Sequence, residues 1–479
     1  MASKESETGT SFTHEELQSK SMVMGGHVEA KETKDTYAAG LGVEIDTATD
    51  RRLFWKISGR ILVIQVITYF LQSLDKGILN YASIMGIKTD AHLVGQDYSW
   101  LGTILYIGIL VGEYPQNFLL QKLPLAKTLA CNVFIWGAVV ACSAASTRFG
   151  SLVGVRFLLG FFESCIQPAM MLLCIGGLIA FGISHFTDGP IKNWQLMFLV
   201  LGLATCVWSF FIGALLPDSP ISAKCYSEED KLLMIERVRH NETGIENKEY
   251  KKDQITEALK DPFVWCCFML IAVANLIIGG LGVFSNLIVQ EFGFSTLQTT
   301  LLNIAQGLWT IIVMIGSAWV SQIFQQTCFT MILWAIPAIV GTIVILVVTP
   351  TPSNAGGMLI AFYCTQFFLA EGNMIISLVT RNMGGQTKKG ITMTIIFIGW
   401  AVGNLIAPQI FQNSDAPRYL HGFLTHIVIY AVFIGIVILT RVILMAKNRS
   451  KEQGSSEISH ELAFDDLTDQ QNPNFRYVY

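Results

Sequence analysis

The chain has 479 residues, 52% hydrophobic and 14% charged, with a net charge of −4. A soluble domain carries about 25% charged residues, so the deficit points to a polytopic membrane protein. The sequence has no basic domain or zinc-finger spacing, which argues against nucleic-acid binding; its ten cysteines lack a CxxC pair and read as buried thiols, not as disulfides or metal ligands.

Residues 1–56 are polar and mixed in charge, without an apolar stretch that would act as a cleavable signal. Alanine after the initiator methionine argues against myristoylation. Five apolar runs follow, at 61–85, 100–120, 125–145, 149–186 and 194–216. A polar gap at 217–260 leads to six more, at 263–289, 297–324, 329–348, 358–380, 391–411 and 423–445. In the gap, Ser227 and Asp230 fit a capping box that opens a short surface helix reaching about Arg239.

The run at 149–186 has the wrong length. As one helix it would extend roughly 57 Å, against a hydrocarbon core of about 30 Å, yet two spans of about 20 residues with a turn need more chain. Lysine and arginine set the orientation. Lys122, Lys127, the gap residues Lys231, Arg237, Arg239, Lys251 and Lys252, then Arg381, Lys388, Lys389, Lys447, Arg449 and Lys451 fall in alternate connections. By the positive-inside rule both termini and the gap are cytoplasmic, which leaves the sequons at Asn241 and Asn448 unglycosylated. The 149–186 run must then enter and leave on the same face, as a hairpin of about 25 Å per arm.

The expected organisation is a cytoplasmic tail (1–56), a first helical bundle (57–217) incomplete at 174–175, a cytoplasmic linker (218–262), a six-helix bundle (263–446) and a second cytoplasmic tail (447–479). Two bundles around a central linker suit a transporter built from repeats.

Within the spans the ionisable residues are Asp75, Lys76, Glu113, Arg156, Glu163 and Glu371. A charge in hydrocarbon is costly, so each is expected to face a partner or an aqueous cavity. Arg156 and Glu163 are two helical turns apart, on nearly the same face and about 10 Å from each other. Arg156 can grip a carboxylate with its planar fork, and Lys76 can add a second positive charge. Glu163, between apolar residues, is suited to carry a proton, and Asp75 is either a second proton site or a counter-ion. The alternative is purely structural, with Asp75–Arg156 and Lys76–Glu163 salt bridges. Glu371 and Glu113 are second-rank candidates, the latter near Pro115 as a gate or loop anchor. Asn275, Asn286, Asn303, Gln306, Asn404 and Gln409 either line a cavity or bond helix to helix. Of these Asn275 and Gln306 join Arg156 and Lys76 as the expected substrate-binding set. Arg441 lies near the end of the last run and is expected to snorkel to the interface.

The segments LDKGILNYASIMGI, GTILYIGILVGEYPQNFLLQKLP, RFLLGFFESCIQPAMMLL, LPDSPISA with SEEDK, ALKDPFVW, GGLGVFSNLIVQEFGFSTLQTTLLNIAQG, NMGGQTKK and FIGWAVGNLIAPQIF cover about residues 51–446. Together they resemble the major facilitator superfamily, in particular the fungal allantoate permease branch of the anion:cation symporters. The resemblance implies an all-α fold of two six-helix bundles. It also implies anion binding by the basic members of Asp75-Lys76 and Arg156…Glu163, and proton coupling by the acidic ones. The implied partners are a small organic anion such as allantoate, nicotinate or pantothenate, protons and the lipid bilayer. No cofactor or metal is implied, nor any enzymatic chemistry, and the expected state is a monomeric, multi-pass protein of the plasma membrane.

In one place the chain departs from the family. Between Cys174 and Ile175 the resemblance calls for the end of a fourth span, a basic loop and the start of a fifth, about 25–30 residues by length. A splice form, a gene-model error and a deletion each account for the gap, which leaves helices 4 and 5 shortened and fused. A non-transporting nutrient sensor or an inactive truncated isoform is the rival reading.

Overall fold

Apolar runs long enough to cross a membrane satisfy every backbone group by forming helices, and the computed structural model is helical throughout its regular elements. It describes residues 47–164, 191–216, 227, 251–454, 467–472 and 475–479. The second half of the 149–186 run, the 174–175 junction and the helix expected after Ser227 lie outside the described residues. The chain divides into two compact units, residues 1–62 with 217–248, and residues 63–216 with 249–479. Of the first, the described part is mainly the opening turns of one helix.

In chain order the helices are α1 (Thr47–Ile84), α2 (Ile87–Asp90), α3 (Asp97–Lys122), α4 (Leu125–Ser143), α5 (Phe149–Glu163) and α6 (Asn193–Leu215), then α7 (Lys252–Lys260), α8 (Pro262–Glu291), α9 (Thr296–Phe324) and α10 (Thr327–Val347). A broken span follows, α11 (Ala355–Thr365), a 3-10 turn (Gln366–Ala370) and α12 (Glu371–Asn382), and then α13 (Gln386–Ile410) and α14 (Leu420–Gly454). Eight of the described spans are long and apolar enough to cross a membrane. Among the described residues there is no strand.

These helices are inverted relative to those of a soluble protein. On α9 the side chains of Leu308, Ile312, Ile315, Trp319 and Ile323 form an exposed apolar stripe, while Asn303, Gln306, Thr310 and Ser317 are buried. The spacing of three and four residues puts each set on one face. The polar face turns inward because protein neighbours can satisfy it and lipid cannot.

Small residues set how closely the helices approach. α3 packs on α5 and α4 on α6, while α8 packs on α13. At the first crossing a Cβ on Gly160 would collide with the Leu105 carbonyl, and one on Gly108 with the Phe157 carbonyl. Backbone contact of this kind needs glycine on both helices. It holds the segment that carries Arg156 and Glu163 hard against α3.

Helix starts and ends are written locally. Asp261 caps α8 by accepting from the Phe263 amide at 3.0 Å, with Pro262 in the first turn. Ser295 and Gln298 form a capping box on α9. Asp90 binds the Trp194 indole at 2.8 Å and pairs with Lys192, so α2 is tied to the start of α6.

Candidate functional site

The intramembrane charges come from α1 and α5. Lys76 Nζ lies 3.0 Å from Glu163 Oε1, with 28% of the lysine side chain exposed and none of the glutamate. The contact is an ion pair by distance but lacks hydrogen-bond alignment, so neither Glu163 oxygen has a hydrogen-bond partner. Asp75, the residue before Lys76, is buried and turns instead to α6, where Thr205 donates to its Oδ2 at 3.4 Å; Oδ1 has no partner. Arg156 is 3% exposed, stands 5.6 Å from the Phe198 ring centre, and keeps Nη2 unpartnered. Among the described residues Asp75 and Arg156 form no ion pair.

Half of the structural alternative, the Lys76–Glu163 bridge, is therefore present, and half is absent. The four ionisable groups are also unequal. Lys76 alone keeps substantial exposure, and Arg156 is enclosed with a donor to spare.

The second half of the chain supplies an aromatic wall to the same place. Trp400 of α13 has its ring centre 5.4 Å from Lys76 Nζ, in cation–π range. Tyr106 of α3 meets Trp400 edge-on at 5.5 Å, and Phe397 stacks on it at 5.5 Å. Sequence reasoning missed Trp400 and Tyr106, because an aromatic residue in an apolar span has no local mark that separates site from lipid-facing surface.

From this site toward the Tyr98 end the two groups of helices are bonded together. Tyr98 donates to the Val283 carbonyl at 2.9 Å, and Asn80 accepts from the Asn286 amide at 3.1 Å and reaches Ser285. Thr103 donates to the Leu405 carbonyl at 2.9 Å and accepts from Gln409 at 3.0 Å. Tyr98, Phe284, Phe411, Tyr419 and Phe423 stack edge and face at the same end.

The other expected residues are distributed as follows. Asn275 accepts from Asn404 at 2.9 Å and donates to the Ile271 carbonyl at 2.7 Å, so its amide ties α8 to α13. Asn303 donates to Asn286. Gln306 is nearly buried with Oε1 unpartnered. Glu371 opens α12 directly after the 3-10 turn, fully buried, and neither oxygen has a hydrogen-bond partner. Glu113 is half-buried within α3 two residues before Pro115. Arg441 donates to Gln326 at 2.7 Å. His426 was not anticipated. It is enclosed in α14 between Phe411 and Phe423, with both ring nitrogens unpartnered. No cluster of His, Cys, Asp and Glu among the described residues could hold a metal ion.

The sequence profile of the Major Facilitator Superfamily matches residues 66–176 and 173–408. An uncharacterised transporter of Schizosaccharomyces pombe is 32% identical, over 94% of this chain and 92% of that protein. That alignment spans 498 positions, more than the 479 residues here, so the relative has residues that this chain lacks. The thiamine pathway transporter of Saccharomyces cerevisiae is 35% identical over 86% and 83%, and its allantoate permease 29% over 91% and 88%. Among solved structures, a bacterial homologue of the lysosomal transporter Spinster, inward-facing and occupied, superposes with a TM-score of 0.60 at 12% identity, covering 81% of this chain and 97% of that one. A D-xylose–proton symporter gives 0.57 at 13% identity, covering 80% and 96%.

Proposed function

The chain belongs to the major facilitator superfamily, in its allantoate permease-like branch, and from that premise we propose that it takes up a small organic anion together with protons by alternating access. It is a membrane transporter and not an enzyme. The observation that carries the finer reading is the Lys76–Glu163 ion pair, with the lysine accessible and the carboxylate enclosed.

An entering carboxylate competes with Glu163 for Lys76. Once displaced, Glu163 is a carboxylate in an apolar enclosure without its counter-ion, a state relieved by taking up a proton. Anion and proton therefore load together, and net charge is removed before the site changes sides. Arg156, on the same helix as Glu163 and with an unpartnered donor, grips the second carboxylate oxygen. Trp400 and Tyr106 flank the body of the anion, and Gln306 offers a polar contact. Asp75 and Glu371 are further proton positions, Glu113 a gate residue and Asn275 a cavity-wall residue. Closure at the Tyr98 end supports a state open toward the opposite end, which the positive-inside reading makes cytoplasmic.

We further assign the N-terminal bundle to 57–217, the linker to 218–262 and the second bundle to 263–446. The protein acts as a monomer in the plasma membrane, with cytoplasmic tails and without a cofactor. Allantoate, nicotinate and pantothenate are the first substrates to test. Proteoliposomes of the purified chain under an inward-acid or outward-acid gradient would distinguish the readings: accumulation that follows the proton gradient supports coupling, and equal uptake without a gradient refutes it. A second reading, a non-transporting sensor or truncated isoform, is favoured by one observation. The family profile matches in two pieces that meet at 173–176, and the apolar run around that junction has too few residues for two full spans. Ligand binding without uptake in the same vesicles would support it.

A further inference from the structure

The Asp261 end of the second helix group holds the last residues of the sequence in a formed socket. Leu467–Asn472 and Phe475–Tyr479 are not helical, yet Thr468 and Asp469 are fully buried and Tyr477 nearly so. Lys388, itself fully enclosed, binds Asp469 at 2.7 Å, Glu257 at 2.9 Å and Asp261 at 3.0 Å. Lys447 binds Asp261 at 2.7 Å. Within the segment, Tyr477 donates its hydroxyl to Asp469 at 2.7 Å, and Thr468 donates to Glu257 of α7 at 2.9 Å.

Two asparagines clamp the segment's backbone. Asn448 of α14 accepts from the Tyr477 amide and donates to the Tyr477 carbonyl, both at 2.8 Å. Asn382 of α12 does the same for Val478, both at 2.7 Å. Lys451 donates to the carbonyls of Asp469 and Asn472. Aromatic rings also face two of the cations, with Tyr477 5.0 Å from Lys447 and Tyr479 4.9 Å from Arg441. Asparagine amides paired with both backbone groups of one residue recognise an extended peptide. An enclosed lysine then selects an acidic residue in it.

We propose that the segment held in this socket, residues 467–472 with 475–479, is a detachable peptide ligand, and that its release loosens the hold of α13 on α7. Residues 455–466 join the segment to α14, so binding is intramolecular and favoured by high effective concentration. The segment completes the ion cluster through which α7, the last element before α8, is held by Lys388 and by the Gln254 contact to the Lys388 amide at 3.2 Å. An acidic–aromatic peptide of the same pattern competes for the site.

The test begins with the folded full chain carrying a protease site between Gly454 and Leu467, cut only after purification. The freed segment is expected to stay bound through size exclusion and to be displaced by excess synthetic peptide of residues 467–479. The same peptide with Asp469→Asn should compete at least tenfold more weakly. Once the cut segment has been competed away and the competing peptide removed by dialysis, amides of α7 should exchange hydrogen faster. Loss of the segment directly on cleavage, equal competition by both peptides, or unchanged α7 exchange after release would each overturn the proposal.

Discussion

Lys76 and Glu163, from helices separated by most of the first helix group, lie 3.0 Å apart, the lysine 28% exposed and the glutamate fully enclosed. Removing one partner leaves an unpaired group in an apolar site, which costs about 3–5 kcal/mol when the pair is fully buried. Lys76→Met and Glu163→Gln are each expected to lower thermal stability in detergent by up to that amount, and the double variant to recover most of it. The two single losses adding in the double variant would mean that the pair is not coupled. Glu163→Gln is further expected to block proton-driven accumulation and spare anion exchange, while Arg156→Ala removes binding.

Trp400 supplies the aromatic face across from Lys76. A cation–π contact is worth about 0.5–2 kcal/mol, so Trp400→Leu should weaken anion binding by roughly 2- to 30-fold, with Trp400→Phe in between. Titration calorimetry with nicotinate or allantoate reads the effect; identical affinity in all three proteins removes Trp400 from the site.

Gly160 permits backbone contact between α5 and α3. Overpacking of this kind costs about 1–3 kcal/mol, so Gly160→Val should lower the unfolding temperature and the yield of folded protein. Gly150→Val, on the same helix with open space around its Cβ position, should be close to neutral. Similar melting of the two variants would contradict the close crossing.

Asp261 carries a pH prediction. Burial alone would push its carboxyl up, but Lys447 and Lys388 outweigh that and hold it below the usual carboxylate range. The unfolded chain therefore binds the proton more readily. The stabilisation is present above about pH 4 and is lost as pH falls through the lower native value. Thermal unfolding between pH 6 and pH 3 should fall more steeply for the natural chain than for Asp261→Asn. Equal slopes would argue against a stabilising role for the Asp261 carboxylate.

Periodicity made much of the fold legible, because a lipid-facing helix must be apolar over a set length and its charged exceptions stand out. Asp75, Lys76, Arg156, Glu163 and Glu371 were recognisable in this way, and all but Lys76 are almost or fully buried. Asn275 and Asn404 were visible as polar residues in spans, but their pairing joins two helices well apart in sequence. His426 was overlooked because, uncharged, it does not interrupt an apolar run.

By itself the sequence determined a helical membrane protein, the family to which it belongs, and the seven-residue spacing that sets Arg156 and Glu163 along one helix. These are local properties, fixed by rise, turn and hydrophobicity over some twenty residues. Only the tertiary structure decided that Glu163 pairs with Lys76 while Asp75 turns to Thr205, that Trp400 closes over the lysine, and that Asp469 returns to Lys388. Those choices depend on which helix faces lie side by side, a matter of packing across the bundle that helical periodicity cannot encode.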